Sequence, residues 1–150
     1  MTDVEKIVWG AFGGLTVFVA GQLLAKFFIE PLHELRKAVG EVRFNLAFHA
    51  PTIHTPIGRS QEASDKAREA LMRSSCSLIA DLHAIPIYGV TRFFAFGVLP
   101  CRKSIESAAV QLRGLSTYVH ETGEKANSSL DEIQKRVERI EKLLKLTPLK

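Results

Sequence analysis

From Ile7 to Ala25 the chain carries nineteen consecutive residues without a charge, IVWGAFGGLTVFVAGQLLA, and Phe27-Phe28-Ile29 follow after a single Lys26. At 1.5 Å rise per residue this run covers about 28 Å as a helix, close to a hydrocarbon core of roughly 30 Å. In lipid a helix is the one single-segment solution, because it satisfies its own backbone hydrogen bonds. Lys26 is placed to snorkel toward headgroups at one end, and Trp9 to sit at the opposite interface. The six residues before the run hold Asp3 and Glu5 against Lys6 alone, the wrong sign for the basic start of a signal peptide, and no small-x-small cleavage site follows. An uncleaved anchor over residues 1–29 is therefore expected, with a cleaved signal peptide as the rival reading and a buried helix of a soluble protein as the lesser alternative.

Flanking charge sets the expected orientation. Lys6 stands alone on the N-terminal side, whereas Lys26, Arg36, Lys37 and Arg43 lie on the other. By the positive-inside rule, residues 30–150 fall in the cytoplasm and the anchor in a bacterial inner membrane. Two cysteines in 150 residues, Cys76 and Cys101, exclude a disulfide framework and a four-cysteine zinc site, and suit a reducing compartment. With 46% hydrophobic and 24% charged residues the chain is too apolar for disorder. From Glu30 onward, eighteen Lys and Arg stand against fourteen Asp and Glu, interspersed in the manner of solvated helix faces. The juxtamembrane basic residues fit anionic lipid better than nucleic acid, which is not an expected partner.

Within the apolar run, Gly10, Gly14 and Gly21 share one helical face, and Gly10-x-x-x-Gly14 is a spacing that lets two helix backbones approach closely. Gln22 lies beside that stripe, in place to hydrogen-bond to a neighbouring helix. Association within the membrane, giving a homo-oligomer, is the expectation.

Beyond Pro31, which suits either a helix first turn or a kink in a continuing helix, periodicity organises everything. Leu32, Leu35, Val39, Val42, Leu46 and His49 recur three and four apart, the seam of a helix packed on another helix. Pro51 and Pro56 predict a loop. Ser60 opens a helix bearing Ala63, Ala67, Ala70, Leu71, Leu78 and Leu82 and running to about His83. Residues 84–101, AIPIYGVTRFFAFGVLPC, are apolar but hold two prolines and two glycines, so a short helix from about Pro86 to Phe96 is predicted, with Tyr88, Phe93, Phe94 and Phe96 anchoring the core, or as the alternative the bilayer surface. Ser104 is the expected N-cap of the next helix, lined by Ile105, Ala108, Ala109, Leu112, Leu115 and Val119. After a polar break at 120–128, Ser129 to Glu132 has capping-box spacing. Leu130, Ile133, Val137, Ile140 and Leu144 then form a seam shorter than three heptads, which must close on the bundle or on another subunit. The fold class is thus all-α: an N-terminal transmembrane helix followed by a cytosolic four- or five-helix bundle.

Catalytic motifs are sparse. There is no phosphate-cradling glycine loop and no Gly-x-Ser-x-Gly turn. His49 and His54 flank a proline loop while His33, His83 and His120 are scattered, so no convergent metal-ligand set forms, and neither metal nor cofactor is expected. An Arg-x(4–6)-His pattern, Arg43 to His49 in RFNLAFH or Arg113 to His120 in RGLSTYVH, resembles the active-site motif of the HEPN ribonucleases. That resemblance implies metal-independent RNA cleavage by paired subunits, with histidine moving a proton and arginine stabilising phosphate charge. Phe44 and Gly114 depart from it where a polar residue often follows the arginine.

The order of an N-terminal anchor, EPLHELRKAVGEV, an alanine-rich helix, AIPIYGVTRFFAFGVLP and RGLSTYV is similar to an uncharacterised family of short bacterial single-pass membrane proteins. The layout also resembles small single-span accessory proteins of RNA-guided phage defence, some of which assemble into membrane pores. The first resemblance brings no active site. Together with the residues it implies a non-catalytic interaction or self-assembly module, and the second implies a membrane-perturbing effector as the alternative.

Overall fold

The computed structural model describes residues 2–54, 60–86, 88–89, 99–120 and 126–147, without the side chains of Lys6, His120 and 126–129. The chain opens as helix α1, Asp3–Leu24, passes through one π-helical turn, Ala25–Ile29, and continues as α2, Glu30–Phe48. The three segments form one unbroken helix of 46 residues. At its start, the Thr2 backbone N–H donates to Glu5 at 2.8 Å, half of a capping box.

Pro31 explains the π turn. In an α-helix its ring would press on the Phe27 carbonyl four residues back, and it has no N–H to donate. The turn before it is widened instead: the Glu30 N–H bonds to the Ala25 carbonyl, five residues back, so the proline enters a continuing helix. Of the two roles open to Pro31 in the sequence, the continuing helix is the one adopted.

Every described side chain of α1 is exposed, and no part of its apolar window is buried within the chain. From Leu35 onward the same helix is half immersed. Leu35, Ala38, Val42, Asn45 and Leu46 are buried, while Leu32 and Val39 pack at the margin. The predicted seam is therefore the buried face, widened by Ala38 and Asn45.

The bundle is completed by α3, Ala50–His54, α4, Gln61–Ala84, α5, Arg102–His120, and α6, Ala126–Leu144. No strand occurs among the described residues. α4 packs on α2 on one side and α5 on the other, and α6 lies on α5 and touches α2 and α3. α4 and α5 run antiparallel, since His83 meets Arg102 and Ser75 meets Ala109. Buried Leu71, Leu78, Leu82, Ile105, Leu112, Leu115, Ile133 and Ile140 fill the centre. Each such side chain contributes about 1.5–3 kcal/mol relative to exposure.

Three boundaries differ from expectation. The stretch predicted as a loop after His49 begins with the one-turn helix α3, whose Ile53 is buried and whose Ile53 N–H bonds to the His49 carbonyl at 2.9 Å; proline is compatible with a helix first turn, and burying Ile53 favours forming one. α5 starts before Ser104, because the Cys101 carbonyl accepts the Ile105 N–H at 3.1 Å, which leaves Ser104 inside the first turn. α6 starts at Ala126, so Ser129 is within the helix and not its cap. Ser60 does cap α4, its Oγ accepting the Ala63 N–H at 3.2 Å. Of the helix predicted over 86–96, Tyr88 and Gly89 are helical, and Tyr88 is buried with its hydroxyl donating to the Pro100 carbonyl at 2.8 Å. Residues 90–98, with Phe93, Phe94 and Phe96, lie outside the described residues.

Candidate functional site: the open face of the long helix

Small side chains make the first element of the site. A Cβ added at Gly10, Gly14 or Gly21 would meet nothing within 4 Å. No packing among the described residues calls for a glycine at any of the three. Gln22 is likewise exposed. Large apolar side chains surround them on the rest of α1, among them Trp9, Phe12, Leu15, Phe18 and Leu23, all exposed.

Where α1 passes into α2, a shallow recess runs along one side of the helix, lined by Gln22, Ala25, Lys26, Ile29, Glu30, His33 and Glu34. Among the described residues Lys26, Glu30 and His33 form no ion pair or hydrogen bond, whereas Lys37 pairs with Glu34 at 3.4 Å. Further along, Phe44 and Phe48 stack with ring centroids 5.6 Å apart, and they are 62% and 67% exposed. The His49 ring meets Phe48 edge-on at 5.0 Å, and partial burial lowers its pKa from the usual histidine value.

The α6 seam closes on its own bundle. Ile133, Val137, Ile140 and Leu144 are buried and Leu130 is half-buried. A second structure on α6 has no signal in the hydrophobic pattern. Arg136 lies over the Tyr118 ring, 5.1 Å from its centroid, and Nη1 donates to Gln111 at 2.8 Å while Nη2 meets Glu132 at 3.2 Å. Gly114 makes the room, since a Cβ there would stand 2.6 Å from Arg136 Nη1. The Arg136 Nε is buried and has no partner among the described residues.

Of the paired Arg and His candidates, Arg43 and His49 do not converge within one chain. Arg43 is exposed on α2, and His49, six residues on, is half-buried on the bundle side, about a third of a turn away around the axis. Arg113 is exposed on α5, its carbonyl accepting the Ser116 hydroxyl at 2.7 Å, and the side chain of His120 lies outside the described residues. A different pair does meet: Arg102 Nη2 is 3.3 Å from His83 Nδ1, with Arg102 Nε donating to Glu106 at 3.1 Å. It ties the start of α5 to the end of α4, on the surface. No group of three metal-binding side chains occurs among the described residues. A recess of about 340 Å³ between α3 and α6 is floored by Leu46, Ile53 and Val137, with His54, Glu138 and Glu141 at its edge.

Comparison of the chain with known protein families, with curated proteins and with solved structures finds no match in any of the three.

Proposed function

We propose that this is a single-span protein of the bacterial inner membrane whose α1 lodges in lipid and packs against copies of itself, with a cytoplasmic helical bundle as its interaction module and no catalytic role. The observation that carries the reading is α1: a long apolar helix, near the N-terminus, with none of its apolar window covered by the rest of the chain. A helix apolar all round requires either a protein interior or a bilayer. Its own bundle does not supply the interior, and a contiguous exposed apolar surface of this extent marks an interaction site. The glycines give the packing face its reason, because contact between helices in lipid relies on close backbone approach rather than on the hydrophobic effect.

Extraction and mass test the reading together. The intact protein should stay with membranes through alkaline carbonate and require detergent for release. In detergent it should have the mass of an oligomer, which Gly14→Leu should lower toward the monomer. Release by carbonate, or an unchanged oligomer in the Gly14→Leu variant, would remove the anchor or the glycine face respectively. Dye escape from vesicles carrying the purified protein would instead assign the face beside Gln22 and Lys26 to a pore lining.

A further inference from the structure

We infer that the self-association surface is not confined to the membrane but occupies the whole outer side of the continuous helix, from Gly10 to Phe48, and that its occupant is a second copy of this chain. The inference rests on the self-assembly proposed above and extends it into the cytoplasm.

The argument begins with which side of α2 is free. Leu35, Ala38, Val42, Asn45 and Leu46 face the bundle, so His33, Lys37, Gly40, Phe44 and Phe48, spaced four, three, four and four apart, occupy the opposite side, and all five are exposed. The π turn joins this side to the glycine face. A π turn holds one residue more than an α turn and sets back the phase of everything after it by about one residue's rotation. The recess that runs from Gln22 and Ala25 to Glu30 and His33 follows that join on a single side of the helix. Gly10, Gly14, Gly21, Ala25, His33, Gly40, Phe44 and Phe48 thus mark one continuous edge, with the bundle behind it. A second copy in the same membrane can lie along this edge without meeting either bundle.

Three further observations favour a like copy as the occupant. Phe44 and Phe48 lie fifteen and nineteen residues beyond Ile29, about 22–28 Å along the helix, where lipid does not cover them. Two stacked, exposed aromatic rings on a rigid helix have the composition of an interface core and not of a solvated face. On the same side Lys26, Glu30, Glu34, Lys37 and Glu41 mix both signs, with Lys37 paired to Glu34 of its own chain at 3.4 Å, so an in-register copy meets no block of like charge. Finally, the 39 residues from Gly10 to Phe48 present about two side chains per turn over about 11 turns, roughly 22 residues, within the 20–30 per side of a stable interface.

The test uses the full-length protein in detergent, with Cys76→Ser and Cys101→Ser to remove its two exposed thiols. Single cysteines are then placed at Gly14, at Gly40 and, as a control on α5, at exposed Val110. A disulfide forms only where two Cα atoms come within about 7 Å. Gly14→Cys and Gly40→Cys should both give cross-linked dimers on oxidation, and Val110→Cys should not. Separately, Phe44→Ser with Phe48→Ser should raise the dissociation constant of the oligomer at least tenfold while leaving the helix content unchanged. Linking at Gly14 without linking at Gly40, equal linking at Val110, or a shift under twofold in the phenylalanine variant would overturn the extension and leave the membrane contact standing. Failure to link at either glycine, with a monomeric mass, would remove the self-assembly reading itself.

Discussion

At the scale of single residues, Gly114 and Arg136 show how a side chain fixes its neighbour's identity. Glycine inside a helix costs about 1 kcal/mol relative to alanine, and Gly114 sits in the middle of α5. The cost is offset by the guanidinium it admits, with its ring contact to Tyr118 and its hydrogen bond to Gln111. Gly114→Ala should therefore destabilise the wild-type bundle by about 1 kcal/mol, because the displaced guanidinium loses more than the helix gains. In an Arg136→Ala background the same substitution should stabilise by about 1 kcal/mol, the propensity gain alone. Urea unfolding of the four variants gives the cycle, and a substitution with the same sign in both backgrounds would contradict the assignment. In sequence, Gly114 reads as a weak point of α5 and Arg136 as one more charged residue outside a seam. Neither carries a mark of the other, because their contact joins positions on different helices.

Buried polar side chains set register at the scale of the elements. Asn45 Nδ2 donates to Ser74 Oγ at 2.8 Å between α2 and α4, and Ser75 Oγ donates to the Ala109 carbonyl at 2.9 Å between α4 and α5. Apolar contacts tolerate small slips of one helix along another, whereas each of these bonds is lost with a shift of about an ångström. Ser74→Ala should cost about 1–3 kcal/mol, the penalty for leaving the Asn45 amide buried without its partner. Asn45→Leu added to Ser74→Ala should recover much of that loss, as read by thermal unfolding in detergent. If the double variant is no more stable than Ser74→Ala, the hydrogen bond is not what holds the pair. The seams on α2, α4, α5 and α6 were legible from spacing alone because leucine, isoleucine and valine repeat at helical period. Ser64, Ser74 and Ser75, which are also buried, were not, since serine is as common outside a core as inside it.

For the whole molecule, the consequence of the architecture is a division of labour along one helix. Among the described residues α1 shares no core with the bundle, and α2 continues it through the π turn. Gly14→Leu should thus leave the unfolding temperature of the bundle unchanged while altering assembly, and Ser74→Ala should do the reverse. A bundle that melts earlier in the Gly14→Leu variant would show the two parts to be coupled. The amino-acid sequence by itself determined the membrane-length helix, the all-helical class and most of the core, because each follows from the spacing of apolar residues within a short stretch of chain. Tertiary structure alone decided that the last seam closes on its own bundle, that Arg136 rests in a slot at Gly114, and which side of the long helix stays open. Those outcomes depend on how separate helices are rotated against one another, and periodicity within one helix carries no information about its neighbour's phase.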